Sequence, residues 1–255
     1  MNLLNKLFNN KNNNILCIYF TAGYPTIESV EKILLTLQQV KVDVIEIGIP
    51  YSDPIADGLI IQKSNQIALQ NGMNISLLFS IINKIKKYIN VPIIIMGYYN
   101  QFYKYGEDLF LQNCKFYGIS GLIIPDLPVN VFLKKYKNLF KRYSVSMIFL
   151  ITSETNNKRL IILNQLTDSF LYIVGSNSIT GKKITISQQQ INFFKRIKKI
   201  LKNTPKLIGF GIQNKNEFKL ACKYANGGII GSSFIQAINK DKLEISISEY
   251  IKSIR

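Results

Sequence analysis

Apolar positions along the chain fall into eight short runs, each followed by an amphipathic stretch. The runs are Ile15–Thr21, Val42–Gly48, Val91–Gly97, Gly121–Pro125, Val145–Ile151, Phe170–Val174, Lys206–Phe210 and Gly228–Gly231. Most are nearly continuous in apolar residues rather than alternating, which suits strands covered on both faces in a parallel sheet. Between them the period lengthens to that of a helix. Ile27, Val30, Leu34 and Leu37 share one face; so do Ile75, Leu78, Ile82, Ile85 and Ile89, and further on Val129, Phe132, Leu133, Tyr136 and Phe140. Gly and Pro punctuate the junctions at Gly23, Pro25, Gly48, Pro125, Gly209 and Gly211.

Eight strand–helix pairs in 255 residues predict an α/β fold, a (β/α)8 TIM barrel, as a single domain over residues 1–255. A doubly wound open sheet is the rival arrangement, but it usually has fewer strands and an early Gly-x-Gly-x-x-Gly turn, which is absent here. Runs start 22–30 residues apart with two exceptions, 49 residues from the second to the third and 36 from the sixth to the seventh. The extra chain extends βα loops 2 and 6, on the face where barrel enzymes place their sites.

Composition narrows the chemistry. The chain has no His, which excludes His-dependent triads, His-ligated metal sites and imidazole acid–base catalysis. Cys17, Cys114 and Cys222 are too few and too scattered for a metal cluster or a disulfide framework. No apolar run reaches the roughly 18–20 residues of a membrane span, and the Asn/Lys-rich start lacks a signal-peptide pattern, so a cytoplasmic protein is expected. A net charge of +17 invites a nucleic-acid reading. The lysines, however, fall mostly on the polar faces of helix-like stretches, without aromatic interleaving or a nucleic-acid motif. Neither nucleic acid nor membrane is expected as a partner.

Only fifteen acidic residues are present, and most lie in polar, surface-like settings. Asp43 marks the start of a strand, and Glu46, Asp53, Asp57 and Asp126 remain. Glu46 is the anomaly, an acid inside the strand Val44-Ile45-Glu46-Ile47-Gly48, where an unpaired carboxylate is costly. Such burial raises the carboxyl pKa and suits proton transfer near neutrality. Asp57 lies eleven residues on, in loop 2, where both acids can converge on one substrate. Gly209-Phe210-Gly211 and Gly231-Ser232-Ser233 end the last two runs, where this barrel type often binds phosphate, although such glycines also end strands for steric reasons. Thr180-Gly181, in loop 6, adds a further donor and hinge.

The string Glu46-Ile-Gly-Ile-Pro-Tyr-Ser-Asp-Pro-Ile-Ala-Asp57-Gly58 resembles the signature of the tryptophan synthase alpha family. Phe20-Thr-Ala-Gly-Tyr-Pro25, Met96-Gly-Tyr-Tyr-Asn100, Pro125-Asp-Leu-Pro128, Ile179-Thr-Gly181, Gly209-Phe-Gly-Ile212 and Gly231-Ser232 extend the resemblance over essentially the whole chain. The resemblance implies retro-aldol cleavage of indole-3-glycerol phosphate to indole and glyceraldehyde 3-phosphate, without metal or organic cofactor in this chain. By resemblance Glu46 is the general acid/base, and Asp57 stabilises charge developing at the indole N–H. Thr180 would hydrogen-bond Asp57. Tyr19, Ile61, Met96, Ile123, Tyr172 and Phe210 match indole-lining positions, and Gly181, Gly211, Gly231 and Ser232 phosphate-binding ones.

The implied partner is a pyridoxal-phosphate beta subunit in an α2β2 heterotetramer, faced by Asp53, Pro54, Asn100 and Pro128. Departures from the family pattern fall at Gly175–Gly181, Leu59, Gln101 and Ile151–Glu154. The altered loop 6 raises an alternative, a weakly catalytic subunit that mainly activates its partner. Another phosphate-binding barrel, an isomerase or an epimerase, fits the Glu46–Asp57 string less well.

Overall fold

The computed structural model describes residues 2–54, 57–175, 188–209 and 211–255. Nine parallel strands form one sheet: β1 (Ile15–Thr21), β2 (Val44–Gly48), β3 (Ile93–Met96), β4 (Ile119–Ile123), β5 (Ser146–Met147), β6 (Phe149–Ile151), β7 (Leu171–Val174), β8 (Lys206–Gly209) and β9 (Gly227–Ile230). The order is β5-β4-β3-β2-β1-β9-β8-β7-β6. β5 and β6 are successive pieces of the single run Val145–Ile151. The first pairs with β4, the second with β7, and the break falls at Ile148, whose N–H still donates to Leu122 O at 2.9 Å. The eight runs therefore close a barrel rather than leave an open sheet.

Strand residues divide between two cores with the period of two that a pleated strand imposes. One set faces the helices, including Ile18, Phe20, Ile45, Ile47, Ile93 and Ile95. The other fills the barrel, with Ile15, Cys17, Tyr19, Val44, Ile94, Ile123, Ile148, Phe170, Leu207 and Ile229. Glu46 lies two positions after inward-facing Val44, so alternation points the acid into the barrel, opposite Tyr19 in the β1–β2 register.

The bottom of the barrel is plugged by the helix Leu3–Asn10. Asn2 Oδ1 accepts the Asn5 N–H at 3.0 Å as an N-cap, and Leu4 and Phe8, one turn apart, are buried in the inner core. Asp43 ties the ends of the chain together beneath β2. Its carboxylate takes Lys11 Nζ at 2.6 Å, the Leu16 N–H at 2.9 Å and Arg255 at 3.0 Å.

Two predicted features differ. Leu133 is 40% exposed, not on the buried face, because Phe132–Tyr136 forms a π turn. Phe132, Tyr136 and Phe140 keep four-residue spacing and stay buried. Glu107, expected among the exposed surface acids, is half-buried and takes Lys135 Nζ at 2.6 Å and the Tyr136 hydroxyl at 2.8 Å. No helix among the described residues is long and apolar enough to cross a membrane.

Candidate active site

At the C-terminal mouth of the barrel a cavity of about 320 Å³ opens among strand ends and loops. Glu46 forms part of its lining, yet the residue is 0% exposed. Its Oε2 receives the Cys17 thiol at 3.8 Å, while Oε1 has no hydrogen-bond partner among the described residues. Among the described residues neither a lysine nor backbone amides satisfy this carboxyl, as a purely structural acid would require. Burial pushes it up to about 8; the Cys17 hydrogen bond opposes that shift and the negative charge of Asp57 adds to it.

Asp57 lines the same cavity. Its N–H donates to Pro54 O at 3.0 Å, and its carbonyl accepts Gln62 Nε2 at 2.8 Å, from the helix Leu59–Gln70. Burial raises its carboxyl to about 6, and a hydrogen bond from the Tyr98 side chain opposes the rise. The two carboxyls are thus pushed apart, the deeper one protonated at neutral pH and the shallower one ionised.

Of the residues expected to line an indole, Tyr19, Ile61, Met96 and Tyr172 stand on the cavity wall. Ile123 does not: it is fully buried in the barrel interior and is absent from the wall. Gly211, Gly231 and Ser232 line the same mouth, Gly231 so close to Tyr19 that a Cβ there would lie 3.1 Å from its ring. Gly211 has φ +56°, a conformation that glycine adopts without strain. Gly209 has a different reason to be glycine. A Cβ there would lie 2.3 Å from the Tyr172 ring, so its role is to admit that ring. Of the two serines, Ser233 is committed to the fold, donating to Ile212 O at 2.8 Å and lying 2.7 Å from the Tyr250 hydroxyl. Thr180, Gly181 and Phe210 lie outside the described residues.

Tyr98 was not singled out in the sequence, although the Met96–Asn100 string contains it. It lines the cavity, stacks on Tyr51 with centroids 4.5 Å apart, and hydrogen-bonds Asp57. Leu150 and Val174, also on the wall, are further residues missed, as are Gln213 and Gln236. Asp126, one of the four acids left after elimination, is exposed and serves as a cap, accepting the Tyr99 N–H at 2.8 Å. Asp53, Asn100 and Pro128 are exposed and Pro54 half-buried. They follow β2, β3 and β4, which are neighbours in the sheet, and so form one arc of the rim. No group of three or more Cys, Asp or Glu placed to hold a metal ion occurs among the described residues.

The fold and its mouth define a (β/α)8-barrel enzyme with carboxyl groups poised for acid–base chemistry at the strand ends. The family model for the tryptophan synthase alpha chain matches residues 5–253. The tryptophan synthase alpha chain of Karelsulcia muelleri is 58% identical, covering 100% of this chain and 99% of that protein. That of Christiangramia forsetii is 42% identical over the same shares. A solved mutant tryptophan synthase alpha subunit from the hyperthermophile Pyrococcus furiosus superposes with a TM-score of 0.85 at 30% identity, covering 96% of this chain and 98% of that one. This chain belongs to the tryptophan synthase alpha chain family. Its activity is that of the family's lyase subunit, cleavage of indole-3-glycerol phosphate in tryptophan biosynthesis, and the family implies a beta-subunit partner.

Proposed function

We propose that Glu46 and Asp57 divide the lyase chemistry between them. The reading rests on one observation, two carboxyls on one cavity held near 8 and near 6. Protonated Glu46 gives its proton to indole C3, and positive charge spreads to the ring nitrogen, where ionised Asp57 stabilises the N–H. The Glu46 carboxylate then takes the proton of the hydroxyl on the carbon attached to the ring. That C–C bond breaks, its electrons restore the indole π system, and the carbon leaves as the aldehyde of glyceraldehyde 3-phosphate. Each proton transfer of this kind is worth about 10²–10⁴ in rate.

Tyr19, Ile61, Met96 and Tyr172 supply apolar wall for the indole, and Gly211, Gly231 and Ser232 backbone approach for the phosphate. Thr180, Gly181 and Phe210 complete the substrate site by family resemblance. This scheme needs no cofactor in this chain; pyridoxal phosphate belongs to the partner.

The rim arc of Asp53, Pro54, Asn100 and Pro128 is the proposed contact with the beta subunit in an α2β2 assembly, working in the cytoplasm. The weakly catalytic alternative is not favoured: the family assignment and the preserved acid pair both support an active lyase. Release of indole from indole-3-glycerol phosphate, by the chain alone and with beta subunit titrated in, tests the reading. Turnover in both states supports it, and stimulation of the partner without turnover would overturn it.

A further inference from the structure

Glu46 rests on a thiol. Cys17 lies two residues before Tyr19 on β1 and projects into the same barrel interior, 0% exposed. In the β1–β2 register Cys17 pairs with Val44 and Tyr19 with Glu46. The thiol therefore sits one inward step deeper than the carboxyl, and its Sγ–H reaches Oε2 at 3.8 Å. Oε1 is left without a partner among the described residues, on a side chain that lines the cavity.

Among the described residues, the ionisable groups felt at Glu46 are Cys17 and Tyr19 from β1, Tyr172 from β7 and Asp57 from the loop after β2. The inner-core residues around them, Val44, Ile94 and Ile229, are apolar.

We propose that Cys17 is the positioning residue of the catalytic acid, holding Oε2 against β1 so that Oε1 is the oxygen presented to substrate. The inference rests on Glu46 being the proton carrier. A thiol is a weak donor. It orients the carboxyl while stabilising the ionised form only slightly; a strong donor would hold Glu46 as a carboxylate with no proton to give. Burial and the adjacent acid raise the Cys17 thiol, so it remains a donor throughout the working pH range.

Infrared difference titration of the Glu46 carboxyl, identified as the band missing in Glu46→Gln, tests this without reference to turnover. It is compared with the pH dependence of kcat/KM for indole-3-glycerol phosphate. Cys17→Ala should move the carboxyl midpoint upward by roughly half a pH unit, the low end of what one lost hydrogen bond is worth. Cys17→Ser, a stronger donor of nearly the same size, should move it downward. The alkaline limb of kcat/KM should follow in both, with KM changed less than kcat. Coincident midpoints in all three proteins would overturn the inference. If Cys17→Ala does not fold, the wild-type and Cys17→Ser comparison decides by itself. Should Glu46→Gln keep its turnover, the assignment of Glu46 falls, while the midpoints still report on the thiol.

Discussion

Gln101 fastens the helix after β3 to Pro50, at the start of the loop that carries Asp57. Its Oε1 accepts the Tyr98 N–H at 3.0 Å, and its Nε2 donates to Pro50 O at 2.9 Å. Tyr98 in turn hydrogen-bonds Asp57. A position that departs from the family pattern is therefore a strap between the loop and the tyrosine that holds its acid. Gln101→Leu strands both backbone groups. It should cost about 1 kcal/mol in stability and lower kcat/KM several-fold, measured by urea unfolding and by indole release.

The two carboxyls predict a bell-shaped pH profile. Asp57 must be ionised, which holds above about 6, and Glu46 protonated, which holds below about 8. kcat/KM should therefore peak near neutrality, with limbs set by these two groups in the free enzyme. Asp57→Asn should lower the peak by about 10²-fold or more and remove the acid limb. A profile flat from pH 5 to 9 would contradict the division of roles.

The buried acid also costs stability. The folded pKa of Glu46, about 8, lies above the unfolded value, so the native state binds more protons than the unfolded state between the two. Stability from this group is present at low pH and is lost as pH rises through 8. Glu46→Gln, which cannot ionise, should gain relative to wild type across that window, by a few kcal/mol in order of magnitude at pH 8. Urea midpoints at pH 5 and pH 8 measure the effect; an equal difference at both would refute it.

Gly209 is predicted to tolerate no side chain. The alanine Cβ would meet the Tyr172 ring at 2.3 Å, and that ring lines the cavity. Gly209→Ala should destabilise the protein by about 1–3 kcal/mol and raise KM for the substrate, as thermal unfolding and steady-state kinetics would show.

The strands were legible because a buried parallel strand leaves an unbroken apolar run, and each observed strand lies within two residues of the run that predicted it. Glu46 was legible for the same reason, an acid where the run allows none. The helix Leu3–Asn10 was not, because its apolar edge of Leu4, Leu7 and Phe8 spans only two turns inside an Asn- and Lys-rich stretch. Leu133 followed a helical period that a π turn breaks locally. Ile123 could be placed inside the barrel from alternation, but its depth below the mouth depends on strand stagger, which no run encodes. The partnership of Tyr98 with Asp57 joins two loops and has no signature in either.

Indole release from indole-3-glycerol phosphate by Glu46→Gln, assayed with the beta subunit present, tests the assignment of the acid most directly. The substitution keeps the shape of the side chain and removes its proton chemistry. Turnover should fall by at least about 10²-fold while the affinity for glyceraldehyde 3-phosphate stays within a few-fold. Turnover near the wild-type rate would show that the proton is carried by another group.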